Sequence, residues 1–150
     1  MKNIDLKEQL LNTSIMAFEE VCFLFVMDDE KNGYDTENMV TSCVTFQGPY
    51  YGQLAISVSH ELLDVITINI TGEDQEFTPQ QKYDALGEMA NIICGNLLPQ
   101  VAGPKEIFDL SAPQLINEMP ISRLAEAKEE EIEICFDEGL VRIRFHINNN

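Results

Sequence analysis

Two stretches patterned with a period of two, one early and one at the end, limit what this chain can fold into. In the first, Val40, Ser42, Val44 and Phe46 point one way and Thr41, Cys43 and Thr45 the other. After Gly48-Pro49-Tyr50-Tyr51-Gly52, Leu54, Ile56 and Val58 alternate with Ala55 and Ser57. Period-two patterns joined by a Gly/Pro turn predict an antiparallel hairpin. In the second, Ile132, Ile134 and Phe136 alternate with Glu131, Glu133 and Cys135, and Val141, Ile143, Phe145 and Ile147 alternate with Arg142, Arg144 and His146. An even-numbered loop around Glu138-Gly139 pairs apolar with apolar and sets the glutamates beside the arginines.

Helical spacing fills much of the rest. Ile4, Leu6, Leu10, Leu11, Ile15 and Phe18 predict a helix from residue 4 to about 20. Residues 21–27 fit either its continuation or a buried strand, and the polar stretch 28–38 with Asn32-Gly33 reads as a loop. Leu62, Leu63, Ile66 and Ile70 mark a second helix that starts near Ser59 and ends at Thr71-Gly72. The best-marked helix follows. Thr78 is placed to be its N-cap, Pro79 sits at the first helical position and Gln81 fits a capping box. It runs to about Leu98, Pro99 kinks or ends it, and Gly103-Pro104 is a firm stop. Strands and helices mix without strict βαβ alternation. The expected class is α+β, a mainly antiparallel sheet with helices packed on it, in one domain over residues 1–150.

Charge narrows the choice of partner. Nine basic against twenty-six acidic side chains leave a net charge of −17. Such a surface repels nucleic acid and anionic membranes, so neither is an expected partner. The densest acidic run, Glu129-Glu130-Glu131, reads as a solvated strand entrance. Cys22, Cys43, Cys94 and Cys135 lie far apart without a C-x-x-C pair, which fits buried thiols in a reducing compartment and offers no zinc site. The N-terminal residues lack the apolar core of a signal peptide, and no apolar stretch is long enough to span a bilayer. A cytoplasmic protein is expected.

The chemistry concentrates on the third helix. At 100° per residue, Leu86, Met89, Ala90, Ile93 and Leu97 gather on one side. Asp84, Glu88, Asn91 and Gly95 form a stripe on the other, spaced four, three and four residues apart, with Gly87 at its border. Two glycines in a helix cost about 1 kcal/mol each against alanine. On an exposed face that cost points to something approaching the backbone closely. Glu88 could then take a partner's Lys or Arg, and the Asn91 amide, with both donor and acceptor, could hold a water in one orientation. Taken alone, such a stripe is also what an ordinary solvated helix face looks like, and that is the commoner case.

The wider pattern favours function. Asp84, Glu88 and Asn91 are followed twenty-two positions later by Pro113. This spacing, and the wording Leu86-Gly87-Glu88-Met89-Ala90-Asn91-Ile92-Ile93-Cys94-Gly95, resembles the catalytic helix of the CheC/CheX/FliY chemotaxis phosphatases. The order of elements resembles theirs over nearly the whole chain. CheC and FliY carry the motif twice. Here it occurs once, because Glu8 and Asn12 on the first helix are one residue too far apart, so the resemblance is to the CheX branch. The segment after Pro113, Gln114-Leu115-Ile116-Asn117-Glu118, departs from the family in lacking a glycine often seen there.

The resemblance implies a homodimeric enzyme that dephosphorylates a CheY-type response regulator. It implies catalytic Glu88 and Asn91, with Asp84, Gly87 and Gly95 supporting the site or contacting the partner. Asn91 would orient the attacking water and Glu88 would pair with the regulator's Lys. Mg²⁺ would sit on the regulator, so this chain would bind no metal or cofactor itself. A non-catalytic adaptor using the same helix face is the alternative, and a flagellar switch component is a third reading. His60-Glu61 begins like a zinc-protease motif, but position 64 is Asp. His146 reads as a surface strand residue, and neither histidine has a Ser or Cys partner for a triad. Phe23, Phe25, Tyr50 and Tyr51 read as core or turn residues rather than a ligand cage.

Overall fold

A computed structural model describes residues 5–27, 38–117 and 128–149. The expected helix start at Ile4 and the loop with Asn32-Gly33 lie outside them. The first helix, α1 (Leu6–Cys22), begins at Asp5, whose side chain accepts from the Glu8 N–H at 3.2 Å. It stops at Phe23, which adopts φ 54°. Val26 then bridges Phe136, and the Met27 N–H donates to the Cys135 carbonyl at 3.0 Å. The helix thus continues only through Cys22, and no buried strand follows: Val26 makes a single isolated bridge, and Phe23, Phe25 and Val26 are exposed.

The first hairpin is β1 (Val40–Gln47) and β2 (Tyr50–Val58), in the register Val40↔Val58 to Phe46↔Gly52. Its turn is tighter than expected: Tyr50, Tyr51 and Gly52 already belong to β2. The reason is the matched alternation, which continues the ladder down to Gly48-Pro49. Next, α2 (His60–Thr71) runs from Ser59 to Gly72, a glycine at φ 73°. Ser59 does not cap with its side chain; its hydroxyl instead accepts from the Leu140 N–H at 3.2 Å.

The long helix α3 (Pro79–Ala102) carries the full capping box. Thr78 Oγ1 accepts from the Gln81 N–H at 3.2 Å, and Gln81 Oε1 accepts from the Thr78 N–H at 2.8 Å. Of the two expectations for Pro99, a kink or an end, the end does not occur: the helix runs on past Leu98 to Ala102. Leu97, Leu98 and Val101 are buried on either side of it, and their burial outweighs the one missing backbone bond. The extra turn is closed by the Gly103 N–H donating to the Pro99 carbonyl at 3.0 Å.

Two very short strands follow, β3 (Asp109–Leu110) and β4 (Gln114–Ile116). Both pair antiparallel with the outer edge of β1. Then come β5 (Lys128–Phe136) and β6 (Gly139–Asn149), joined in the register Phe136↔Gly139. The result is one antiparallel sheet in the order β3-β1-β2-β6-β5, with β4 beside β1.

The three helices pack on one face of this sheet. α3 meets β1 and β2, α1 meets β5, and α1 and α2 both meet α3. α1 runs antiparallel to α3, as Thr13 bonds Gln100 at 3.0 Å and Cys22 meets Met89 at 3.7 Å. Phe18, Leu54, Ile56, Leu86, Ile93 and Phe145 are fully buried between the layers. The opposite face of β5 and β6 carries the expected charge ladder. Arg142 bonds Glu133 at 2.6 Å, and Arg144 reaches Glu131 at 3.3 Å and Glu129 at 3.6 Å. Among the described residues no helix is long and apolar enough to cross a membrane.

Candidate functional site

Because α3 buries Met89, Ala90, Ile93 and Leu97 between the other elements, the opposite side of the helix is left outward. Asp84, Glu88 and Gly95 are exposed there and Asn91 is half-buried. The four expected residues therefore do share one face. Asp84 is tied along the helix: Gln80 Nε2 donates to its Oδ1 at 2.8 Å. Glu88 makes no hydrogen bond or ion pair among the described residues, so its carboxylate stands free. Asn91 is the unusual member. Its Oδ1 is fully buried and has no hydrogen-bond partner among the described residues. Most buried polar atoms in folded proteins are paired, so the orphaned carbonyl is an exception, shared among the described residues with Ser14 Oγ and His146 Nδ1.

The two glycines have different surroundings. A side chain at Gly95 would meet nothing within 4 Å, so the surface there is open. Gly87 is buried. A Cβ on it would lie 2.7 Å from Pro113 Cβ and 3.0 Å from Pro113 Cγ. The close approach expected from the glycines is real at Gly87, but it comes from the chain's own Pro113 and not from a partner. Pro113 is held from both sides. The Ser111 N–H donates to the Thr45 carbonyl and the Thr45 N–H to Ser111 Oγ, both at 2.9 Å, while Gln114 pairs with Cys43 in β4. The acid, the amide and the proline singled out by spacing are thereby built into one region, where the sheet edge meets α3.

Thiol chemistry is disfavoured nearby. Burial pushes Cys94, on the inner side of α3, up to about 12, with the Cys43 thiol adding to the rise. Burial alone pushes Cys22 up to about 12 and Cys43 to about 11. All three are neutral thiols near pH 7, not nucleophiles. His60 opens α2 and His146 lies on β6, so neither joins the Asn91 face. Among the described residues no three His, Cys, Asp or Glu side chains are grouped to hold a metal ion.

The pattern that defines the family described as "Chemotaxis phosphatase CheX" matches residues 40–137.

The chain belongs to the CheX family.

The match includes all of α3 and Pro113 and leaves out α1. Solved structures agree on the fold. A chemotaxis protein CheX from Desulfovibrio desulfuricans is 16% identical with a TM-score of 0.75, over 97% of this chain and 100% of that one. CheX in the CheX–CheY–BeF3–Mg²⁺ complex from Borrelia burgdorferi is 19% identical with a TM-score of 0.71, over 98% and 100%. Thermotoga maritima FliY is more distant, 13% identical with a TM-score of 0.59, over 96% and 87%. At these identities the likeness is one of fold. No curated protein matches the chain in sequence.

Two features escaped sequence reading. Phe23 and Phe25 are 69% and 65% exposed, so neither is a core residue, and Phe23 is the turn residue that ends α1. Phe23 faces outward because the chain reverses there in the left-handed region, a conformation few non-glycine residues adopt. The edge strands β3 and β4 bring Leu110 and Leu115 to the surface on either side of Pro113. No alternation marks strands of two and three residues.

Proposed function

We propose that this chain hydrolyses the aspartyl phosphate of a CheY-type response regulator through the α3 face. The observation that carries the reading is Asn91. Its buried acceptor has no internal bond to give up, and it stands three residues from a free, exposed carboxylate at Glu88. A carboxamide accepts at oxygen and donates at nitrogen, so it can hold a water by both of its hydrogen-bonding functions. Rotation about the last side-chain torsion is broad and two-fold, and here it would break no hydrogen bond.

Water would attack phosphorus in line, the acyl P–O bond would break, and free carboxylate and inorganic phosphate would leave. An acyl phosphate is already activated, so catalysis here is chiefly positioning. Asn91 would fix the water. Glu88 would pair with a lysine of the regulator and set the docking register. The strongly acidic surface would favour that cationic contact. Asp84, bonded to Gln80, would rim the interface. Mg²⁺ would be the regulator's, and the Borrelia relative held with CheY and Mg²⁺ makes a CheY-type protein the first partner to test.

Enzyme and adaptor separate on two variants. Asn91→Ala should cut phosphate release on the order of 10²-fold with binding kept. Glu88→Ala should weaken binding by about 2–5 kcal/mol if the pair is desolvated, and by less at a wet rim. Unchanged phosphate release by Asn91→Ala would remove the water-positioning role. Binding of the phosphorylated regulator without faster decay would make the chain an adaptor.

A further inference from the structure

We propose that Pro113 is a positioning residue for the reaction. Seated on Gly87, it holds α3 and the Asn91 carboxamide one turn further on in the working orientation. The inference rests on the hydrolase reading above and adds a residue to it.

Gly87 lies in the middle of a long helix, where glycine is the poorest choice after proline. What it provides is space. An alanine there would place its Cβ 2.7 Å from Pro113 Cβ, closer than such carbons approach in folded proteins, and 3.7 Å from Ser42 Oγ. The proline ring therefore rests directly on the helix backbone. The segment that carries the ring is anchored. β3 pairs Leu110 with Phe46, while β4 pairs Gln114 with Cys43. Four steps along this edge thus match three along β1, and the extra residue makes a bulge at residues 111–113. Ser111 is bonded to Thr45 twice at its foot, and proline fixes its own φ. The bulge presses a rigid ring on α3.

Asn91 follows Gly87 by one helical turn on neighbouring angles of the same side. With Oδ1 buried and unpartnered, no hydrogen bond at that atom sets the direction of its carboxamide. Packing does. Among the described residues α3 touches β1, β2 and β4 of the sheet, and Pro113, between β3 and β4, is the contact at Gly87, one turn before Asn91.

The test uses the full chain in four further forms: Gly87→Ala, Pro113→Gly, their combination and the milder Pro113→Ala. Steady-state dephosphorylation of a CheY-type regulator gives kcat and KM. The side-chain amide ¹⁵N–¹H signals of Asn91, assigned by their loss in Asn91→Asp, report its orientation in the isolated protein. Gly87→Ala and Pro113→Gly should each lower kcat about tenfold, leave KM within about twofold, and shift the Asn91 signals. The combination should match Pro113→Gly alone, because the clash exists only while the ring is there. Should Gly87→Ala not fold, Pro113→Ala carries the comparison. A lower melting temperature with kcat and the Asn91 signals unchanged would overturn the proposal, as would losses that multiply in the double variant. If the parent chain lacks phosphatase activity, the hydrolase reading falls. The Asn91 signals then decide whether Pro113 orients that side chain.

Discussion

Asn91→Ala removes a carboxamide whose oxygen is buried without a partner among the described residues. A buried polar atom left unsatisfied costs about 1–3 kcal/mol, a cost the parent protein already carries. Alanine also outranks asparagine as a helix former by up to about 0.7 kcal/mol. Against these gains stands the packing lost with a half-buried side chain of little apolar area, under about 1 kcal/mol. The balance is a gain of roughly 1 kcal/mol, or about 2–4 °C in melting temperature for a chain of this length. The same substitution should abolish most phosphate release, so activity and stability should move in opposite directions. Thermal melts and urea titrations of parent and variant, run beside a phosphate-release assay, measure both. A variant that melts several degrees below the parent would refute the reasoning, since it would mean the carboxamide stabilises the fold.

His146 supplies a pH test. Burial lowers its pKa below the ordinary histidine value and Arg144 lowers it further, with Glu129 opposing. The folded state therefore favours the neutral ring. The unfolded chain takes up its proton first as pH falls through about 6.5, so the stability His146 contributes above that value is lost below it. The urea midpoint should drop from about pH 7.5 to about pH 5.5, and His146→Gln should flatten the drop; equal pH dependence in both proteins would contradict this. Light scattering at micromolar concentration should give twice the 17.0 kDa chain mass, as a homodimer requires, and a persistent monomer would count against it. Elemental analysis of the purified chain should find no stoichiometric zinc or magnesium, while dephosphorylation should depend on Mg²⁺ held by the regulator. One tightly bound metal per chain would overturn that division of labour.

Much of the architecture could be read from local signals, because those signals agree with the tertiary structure. Both hairpins follow from period-two alternation, and Thr78, Pro79 and Gln81 mark the start of α3 by hydrogen bonds that the helix itself requires. What could not be read depends on neighbours distant in sequence. Pro99 is a helix breaker locally, yet buried Val101 draws the helix past it. β3 and β4 are strands only because β1 offers an edge. The site divides the same way. The stripe Asp84, Glu88, Asn91 and Gly95 is a matter of helical spacing. The partner of Gly87 is Pro113, twenty-six positions along the chain, and the proline reaches it through a bulge that no short motif encodes. The orphaned Oδ1 of Asn91 depends in the same way on everything packed around it.

The central claim is that this chain speeds hydrolysis of a phosphorylated CheY-type regulator. Its most direct test is the decay of such a regulator in Mg²⁺, followed by phosphate release with and without a catalytic amount of the protein. The account predicts decay many-fold faster than the regulator's own, returned nearly to the unassisted rate by Asn91→Ala. Decay at the same rate with and without the parent protein, under conditions where the two are shown to bind, would contradict it.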